Sequence, residues 1–206
     1  MSARLPLLCL LLAGCASSNA LVSLGTPATA PTARDYVDQV KRWTRHGDMR
    51  SDFDATLIVD ATLYSPEFQA AYVAKYLDVY KVTAGAADKV KGELAIPSEE
   101  GYVFHLDNQA HTYEVMELKP GKSIWRITLV TDGGREVSPL TVVIDRSRPE
   151  VQQEFFPYTS VFSRTWRLAF PAKLPDGSDL VRPDTTALTL RIAGPPGLIE
   201  LRWRLK

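Results

Sequence analysis

Two histidines close together in the sequence are the first candidates for chemistry. His105 and His111 lie on either side of the turn-forming residues Asp107-Asn108-Gln109. If a hairpin turn is centred on Asn108, the two imidazoles oppose one another on neighbouring strands, with Cβ atoms about 5 Å apart. They could share a metal ion, but a stable site needs three or four protein ligands, and no third ligand is adjacent. We therefore favour two solvated side chains near a hairpin tip, with a metal site as the alternative.

A second candidate is the acidic segment Pro175-Asp176-Gly177-Ser178-Asp179. The closely spaced carboxylates of Asp176 and Asp179, with Asp184 nearby, are typical of loops that hold calcium through oxygen ligands. Pro-Asp-Gly is also a common turn sequence, and the other positions do not fit the EF-hand pattern. A turn is therefore the favoured interpretation, and a calcium site remains the alternative.

Two further patterns could form binding surfaces. The aromatic run Phe155-Phe156-Pro157-Tyr158, which continues to Phe162 and Trp166, could stack on a sugar or a peptide. Core packing is the favoured interpretation of that run. Basic residues alternate along the last predicted strand, where they could meet anionic headgroups or simply solvate and protect an edge: Arg202, Arg204 and Lys206.

Sequence motifs of common enzymes are missing. Pro120-Gly121-Lys122-Ser123 is similar to the end of a phosphate-binding loop, but Met116 stands where the leading glycine is required. The chain contains no G-x-S-x-G, S-x-x-K or H-E-x-x-H sequence. A site assembled from distant residues is left open, such as Asp176 or Asp179 brought beside Glu99 or Glu100.

The amino terminus has the layout of a secretory signal. Arg4 and the terminal amine precede an apolar run over residues 5–12, far shorter than the roughly 20 residues of a membrane-spanning helix. The following residues Leu12-Ala13-Gly14-Cys15 resemble the lipobox of bacterial lipoproteins. The resemblance implies that residues 1–14 are removed and that Cys15 is acylated and inserted into a lipid bilayer. Because Ala16 rather than aspartate follows the cysteine, it also implies the outer membrane.

Composition limits the chemistry of the mature protein. The chain has 24 basic and 24 acidic side chains, and this balance does not favour nucleic-acid binding. Both cysteines, Cys9 and Cys15, lie in the signal or at the anchor, so the body cannot form a disulfide or a thiolate metal site. Residues 16–31 are mainly Ala, Ser, Thr, Pro and Gly, with few large apolar groups and no charge, and we expect residues 15–31 to form a flexible tether.

Helical patterns are concentrated in the N-terminal half. Thr32 is expected to cap a first helix, which carries Tyr36, Val40 and Trp43 on one face and stops at Gly47. Residues 53–64 alternate like a strand, and Ser65-Pro66-Glu67 starts a second helix that runs to about residue 82. The segment 84–96 is ambiguous, with a short helix preferred.

From residue 101 onward the pattern predicts strands separated by turns. One hairpin joins 102–106 to 110–118, and a second joins 124–131 to 135–145 around Asp132-Gly133-Gly134. Three more strands follow at 165–170, 186–192 and 198–205. The sequence therefore predicts a mainly β (α+β) fold over 32–206, an antiparallel β-sandwich of about eight strands with two or three helices.

These observations favour a lipid-anchored envelope protein that binds rather than catalyses. Its partners would be the bilayer, through Cys15, and an envelope protein or glycan, with no cofactor. The alternative is an envelope hydrolase with a carboxylate-based or calcium-assisted site.

Overall fold

Alternating apolar residues form the strands of this protein, because β-branched and aromatic side chains suit a pleated backbone with one buried face. The structure, a computed structural model, describes residues 20–51, 54–97 and 100–206. The predicted signal peptide and Cys15 lie outside these residues. The described strands are β1 (Thr44–Ser51), β2 (Asp54–Leu63), β3 (Tyr102–Gln109), β4 (Arg126–Thr131), β5 (Glu136–Val137), β6 (Thr141–Ile144), β7 (Arg164–Phe170), β8 (Ala187–Gly194) and β9 (Gly197–Arg204).

The described helices lie mostly in the N-terminal half, as predicted. They are α1 (Tyr36–Trp43), α2 (Pro66–Val79), α3 (Ala84–Leu94), α4 (Tyr113–Met116) and α5 (Pro149–Phe155). The predicted start of α2 is confirmed, since Ser65 Oγ accepts a hydrogen bond from Phe68 N at 3.1 Å and Pro66 opens the helix. Over the described residues, no helix combines the length and the apolar character needed to cross a bilayer.

The strands form two antiparallel sheets, which confirms the predicted α+β sandwich. The five-stranded sheet has the order β1-β2-β3-β7-β6, and the four-stranded sheet has the order β5-β4-β8-β9. Their facing sides form the core, where the rings of Phe104 on β3 and Trp203 on β9 lie 5.2 Å apart. The predicted inward residues of β2 are at most 1% exposed: Leu57, Val59, Ala61 and Leu63.

A helical layer covers the other face of the five-stranded sheet. Tyr36 of α1 donates a hydrogen bond from its hydroxyl to the carbonyl oxygen of Phe155 in α5 at 2.8 Å. The next residue, Phe156, stacks on His105 of β3 with ring centroids 3.6 Å apart. The central strand β3 is therefore buried on both faces, and the outer face of the sheet carries the candidate site.

The structure corrects the end of the first helix. Helix α1 stops at Trp43, whose carbonyl accepts a hydrogen bond from Trp203 Nε1 at 2.8 Å, and β1 begins at Thr44. Gly47, the predicted helix stop, lies inside β1 and opposite Val59 of β2. A Cβ atom at Gly47 would lie 2.8 Å from Ile199 Cγ2 and 2.9 Å from Leu201 Cδ2. This glycine therefore permits β1 to pass close over β9, a tertiary requirement that sequence periodicity does not contain.

The hairpin predicted around Asn108 is wrong, whereas the hairpin around Asp132-Gly133-Gly134 is confirmed as β4 and β5. Residues 107–109 are part of β3, because both sides of that strand are paired, to β2 and to β7. The predicted strand 135–145 is also two strands. β5 stays in the four-stranded sheet and β6 joins the five-stranded sheet at its edge.

Within the predicted tether over 15–31, Val22 is part of the globular body. Val22 is fully buried, and its backbone bonds to both sides of the end of β9, with Val22 N 2.9 Å from Arg204 O and Lys206 N 3.0 Å from Val22 O. The apolar group Leu21-Val22-Ser23-Leu24 is the sequence signal for this contact. The globular body therefore begins ten residues before the predicted boundary at Thr32.

Replacing Gly47 by alanine is expected to destabilise the sandwich, because the added methyl group would collide with Ile199 and Leu201. We expect the free energy of unfolding to fall by about 1–3 kcal/mol. The matched control is Gly92→Ala in α3, where a Cβ atom meets nothing within 4 Å. The control is expected to gain up to about 1 kcal/mol of stability, because alanine is the better helix former. Chemical denaturation measures both, and equal effects would contradict the close approach of β1 and β9.

Candidate binding cleft

Polar side chains line the outer face of the five-stranded sheet because the strand registers bring them into two rows. One row runs across four strands through Thr44, Thr62, His105 and Arg167. The next row contains His46, Asp60, Asp107 and Thr165. Since the helical layer covers much of this face, several of these groups are buried and must find partners inside the protein.

A cleft of about 420 Å³ opens where the helical layer meets the β6 side of the sheet. Helix α2 and the end of α3 form one wall, and β6, β7 and the following residues form the other. Its lining includes the aromatic and polar side chains of Tyr64, Gln69, Tyr72, His105, Asp145, Arg146 and Arg167. The volume lies within the range of small-ligand pockets, which is about 300–1,000 Å³.

His105 lies at the inner end of this cleft and is uncharged. It is 4% exposed and stacks on Phe156 with an interplanar angle of 4°. Burial lowers the pKa of His105 to about 4, although the nearby negative charge of Asp145 acts in the opposite direction. Its Nε2 atom is buried and has no hydrogen-bond partner in the described part of the chain. The imidazole is therefore a neutral hydrogen-bonding group rather than a cation.

Gln69 on α2 is the second polar residue of the cleft that has an atom without a hydrogen-bond partner among the described residues. Its Nε2 donates to the carbonyl oxygen of Leu94 at 2.6 Å and ties α2 to the end of α3. Its Oε1 atom is buried and accepts no hydrogen bond from the described residues. His105 and Gln69 thus both line one cleft, and each has a buried hydrogen-bonding atom without a partner in the described part of the chain.

Charged and phenolic groups complete the cleft. Arg167 is held by Glu100, with Arg167 Nη1 3.0 Å from Glu100 Oε1. Hydrogen bonding to that guanidinium keeps the pKa of Glu100 below its usual value. Burial raises the pKa of Tyr72 to about 12 and raises that of Tyr64 well above its ordinary value, so both phenols stay protonated. The cleft therefore combines neutral donors and acceptors with aromatic surface, which suits the binding of a polar ligand.

A buried carboxyl group lies beside the cleft on the same strand face. Asp107 is 1% exposed, and burial raises its pKa to about 7, although the nearby hydroxyls of Ser163 and Thr159 act to lower it. Neither Asp107 Oδ2 nor Thr159 Oγ1 is aligned for a hydrogen bond with a described residue. Asp107 is thus protonated over much of the acidic pH range, two residues from a neutral histidine.

The structure does not bring the predicted histidine pair together. His105 is buried on β3, whereas His111 is exposed after the end of that strand. The error follows from the misplaced turn, because His105 and His111 oppose one another only if residues 107–109 turn. In the described residues there is no cluster of three or more His, Cys, Asp or Glu side chains that could hold a metal ion.

The predicted acidic candidates have local roles. Asp176 Oδ1 accepts hydrogen bonds from Ser178 N at 2.9 Å and Ser178 Oγ at 2.7 Å, which is the favoured turn. The Asp179 backbone carbonyl accepts a hydrogen bond from Arg135. Glu100 is paired with Arg167, and Glu99 lies outside the described residues. Glu100 is thus connected to the cleft by its ion pair with Arg167, which lines the cleft, while Asp176 is engaged within its own turn.

The aromatic run divides between core and surface. Phe155, Phe156 and Trp166 are at most 4% exposed, so the favoured core interpretation holds for them. Phe162 is 81% exposed and does not share that environment. Arg202, Arg204 and Lys206 are exposed, as the alternation of the last strand predicted.

The opposite pKa shifts of His105 and Asp107 predict opposite pH dependences of stability. Folded His105 binds fewer protons than unfolded histidine between its pKa of about 4 and the ordinary value of 6.5, so it contributes stability that rises with pH there. Folded Asp107 binds more protons than an unfolded aspartate between 3.8 and about 7, so its contribution falls as pH rises. The two contributions oppose each other between about pH 4 and 6.5.

Single substitutions are expected to separate these contributions. Relative to the parent, Asp107→Asn should gain stability as pH rises from 4 to 7, whereas His105→Gln should lose it from 4 to 6.5. We expect each difference to be on the order of 2–4 kcal/mol over the interval. Urea denaturation at several pH values measures the two slopes. Parallel curves for the parent and both variants would mean that neither group is buried as described.

Comparisons with known proteins do not indicate an activity for this cleft. No protein-family model matches the sequence, and no curated protein matches it. Among solved structures, the chain is similar to one described as a novel protein of unknown function from Burkholderia pseudomallei K96243. That similarity has a TM-score of 0.38 and 12% sequence identity, and it covers 87% of this chain and 92% of that chain.

Proposed function

We propose that this chain is a lipid-anchored, non-catalytic binding protein of the cell envelope, with its ligand site in the cleft over His105. The carrying observation is that two residues of the same cleft lining, His105 and Gln69, each have a buried atom without a hydrogen-bond partner among the described residues, namely Nε2 and Oε1. Unpaired buried polar atoms are costly, so a ligand that supplies their hydrogen bonds gains affinity. Tyr64 and Tyr72 add aromatic surface beside them.

The contacts of the candidate catalytic groups favour binding over hydrolysis. Asp145 is the nearby charge that acts on His105, but the described structure has no hydrogen bond between them that would orient the imidazole for general-base catalysis. The carboxylate of Glu100 is held by Arg167, and Asp176 is held by Ser178. Two of the acids considered for a hydrolase, Glu100 and Asp176, are thus engaged in other contacts, whereas the unpaired atoms of His105 and Gln69 support a binding site.

The anchor is proposed from the lipobox resemblance at Leu12-Ala13-Gly14-Cys15. The backbone is bonded to the body at Val22, seven residues after Cys15. Seven extended residues reach at most about 25 Å, so the body would stay close to the bilayer. Ala16 after the cysteine favours the outer membrane, as in the lipoproteins that the motif resembles.

A Cys15→Ser variant is expected to lose its lipid and move from the membrane pellet to the soluble fraction or remain unprocessed. The physical reason is that two or three acyl chains hold a protein firmly, whereas none does. Metabolic labelling with an alkyne-bearing fatty acid, followed by fractionation, makes the measurement. Cys9→Ser is the matched control and should behave like the parent. Labelling of the Cys15→Ser variant would refute the anchor.

A photo-crosslinking residue at Glu93 is expected to capture an envelope component, since Glu93 lines the cleft and its side chain is 61% exposed. The control is the same substitution at Asp88 on α3, whose side chain is 94% exposed and is not part of the cleft. Irradiation of cells followed by mass spectrometry identifies the products. Products of equal yield at both positions, or none at Glu93, would count against the cleft as the ligand site.

A further inference from the structure

The four outer edges of the two sheets are not equally protected. β1 carries His46, Asp48 and Arg50 and has a register shift after Met49, while β5 has only two residues. The edge of β9 is bonded to Val22. Natural sheets protect their edges with such charges, irregularities, short strands and covering segments.

The edge strand β6 has few of these protections. Its four residues, Thr141-Val142-Val143-Ile144, are all β-branched and uncharged, and Val143 is 49% exposed. β6 pairs with β7 on one side, and no described strand pairs with its other side. β6 is short, but its composition is that of a strand suited to further pairing.

The hydrogen-bond pattern identifies which backbone groups are free. Asp145 N donates to Thr165 O at 2.9 Å, which continues the antiparallel register of Val143 with Arg167. In an antiparallel pair, alternate residues point their N–H and C=O groups toward the partner. The groups of Val143 and Asp145 therefore face β7, and those of Val142 and Ile144 face the open edge.

Clefts lie on both sides of this open edge. The cleft over His105 lies on the outer face of the sheet. A second cleft, of about 430 Å³, lies on the inner face and is lined by Lys119, Val142, Ile144 and Trp166 among others. Arg146 lines both clefts. Successive side chains of an added strand point to opposite faces, so they would enter the two clefts alternately.

The charges of the two clefts differ. In the inner-face cleft, Glu117 is paired with Arg164 at 3.3 Å, whereas Lys119 and Arg146 form no ion pair with a described residue. That cleft therefore has an excess of positive charge. The cleft over His105 contains Glu93 and Asp145 as well as Arg146, and its Arg167 is already paired with Glu100. An acidic side chain suits the inner-face cleft, and an uncharged one suits the cleft over His105.

We propose that β6 binds an extended peptide segment of an envelope protein by β-strand addition, with the free backbone groups of Val142 and Ile144 as its hydrogen-bond partners. Acidic side chains of the peptide enter the inner-face cleft beside Lys119 and Arg146. The alternate side chains are uncharged and enter the cleft over His105. This inference rests on the proposed binding function and specifies the class of its ligand. Backbone hydrogen bonds supply affinity and the two clefts supply selectivity, as in other modes of strand addition.

The probe is an acetylated and amidated pentapeptide of alternating tyrosine and glutamate, which places all glutamates on one face of a strand. It is compared with its tyrosine–lysine counterpart and with a version N-methylated at alternate residues. We expect the glutamate peptide to bind at least about tenfold more tightly than either, because lysine meets like charge and N-methylation removes strand hydrogen bonds. Calorimetry measures the affinity. Amide hydrogen exchange measures protection of the Val142 and Ile144 amides, whose exchange rates should fall on binding.

Arg146→Glu is expected to weaken binding of the glutamate peptide by about tenfold or more, since it reverses a charge that lines both clefts. The matched control is Arg148→Glu, an exposed arginine two residues away that lines neither cleft. The control should keep parental affinity. Equal loss in both variants, insensitivity to N-methylation, or unchanged exchange at Val142 and Ile144 would overturn strand addition.

Two other outcomes also decide the proposal. Dimerisation of the protein through β6 that the peptide does not displace would overturn it, because the occupant would be a second copy. Crosslinks from Glu93 to an envelope component, with no binding of the glutamate peptide, would refute strand addition while retaining the binding function. If neither crosslinks from Glu93 nor binding of the glutamate peptide is observed, both strand addition and the proposed binding function are refuted.

Discussion

The stacking of His105 on Phe156 is the contact on which the arrangement of the site depends. It joins the outer face of the five-stranded sheet to the segment that follows α5, with ring centroids 3.6 Å apart. A charged imidazole in this position would lose its hydration without gaining an ion pair, so the fold requires the neutral form. Because of the same contact, the group at the inner end of the cleft is a neutral imidazole with a hydrogen-bonding atom unpaired among the described residues, instead of a cation.

The two sides of the sandwich differ, because one is closed and the other ends in an open strand edge at the site. Val22 bonds along the end of β9, and Gly47 lets β1 lie over β9, so that side of the sandwich is closed. On the opposite side the five-stranded sheet ends at β6, with a cleft on each face. The chain therefore combines a closed side near its described amino end with an open, uncharged strand edge at the site.

Much of the fold was predictable from sequence, because period-two alternation and capping residues are local signals. The alternation of β2 and β9 and the Ser65-Pro66 start of α2 are examples. β1 was missed because Thr44-Arg45-His46-Gly47 has no apolar alternation, and its position depends on Trp203 and on contact with β9. The site was missed for a related reason. β3 is buried on both faces, and its end, Asp107-Asn108-Gln109, has the composition of a turn although it is part of the strand.

The protonation state of His105 tests the central claim most directly. Nitrogen-15 NMR of the imidazole distinguishes neutral from protonated histidine across the pH range. The burial of His105 against Phe156 predicts a ring that is still neutral at pH 5.5 and protonates only near its pKa of about 4. A ring that protonates with the ordinary midpoint near 6.5 would contradict the buried stack and the cleft that is built on it.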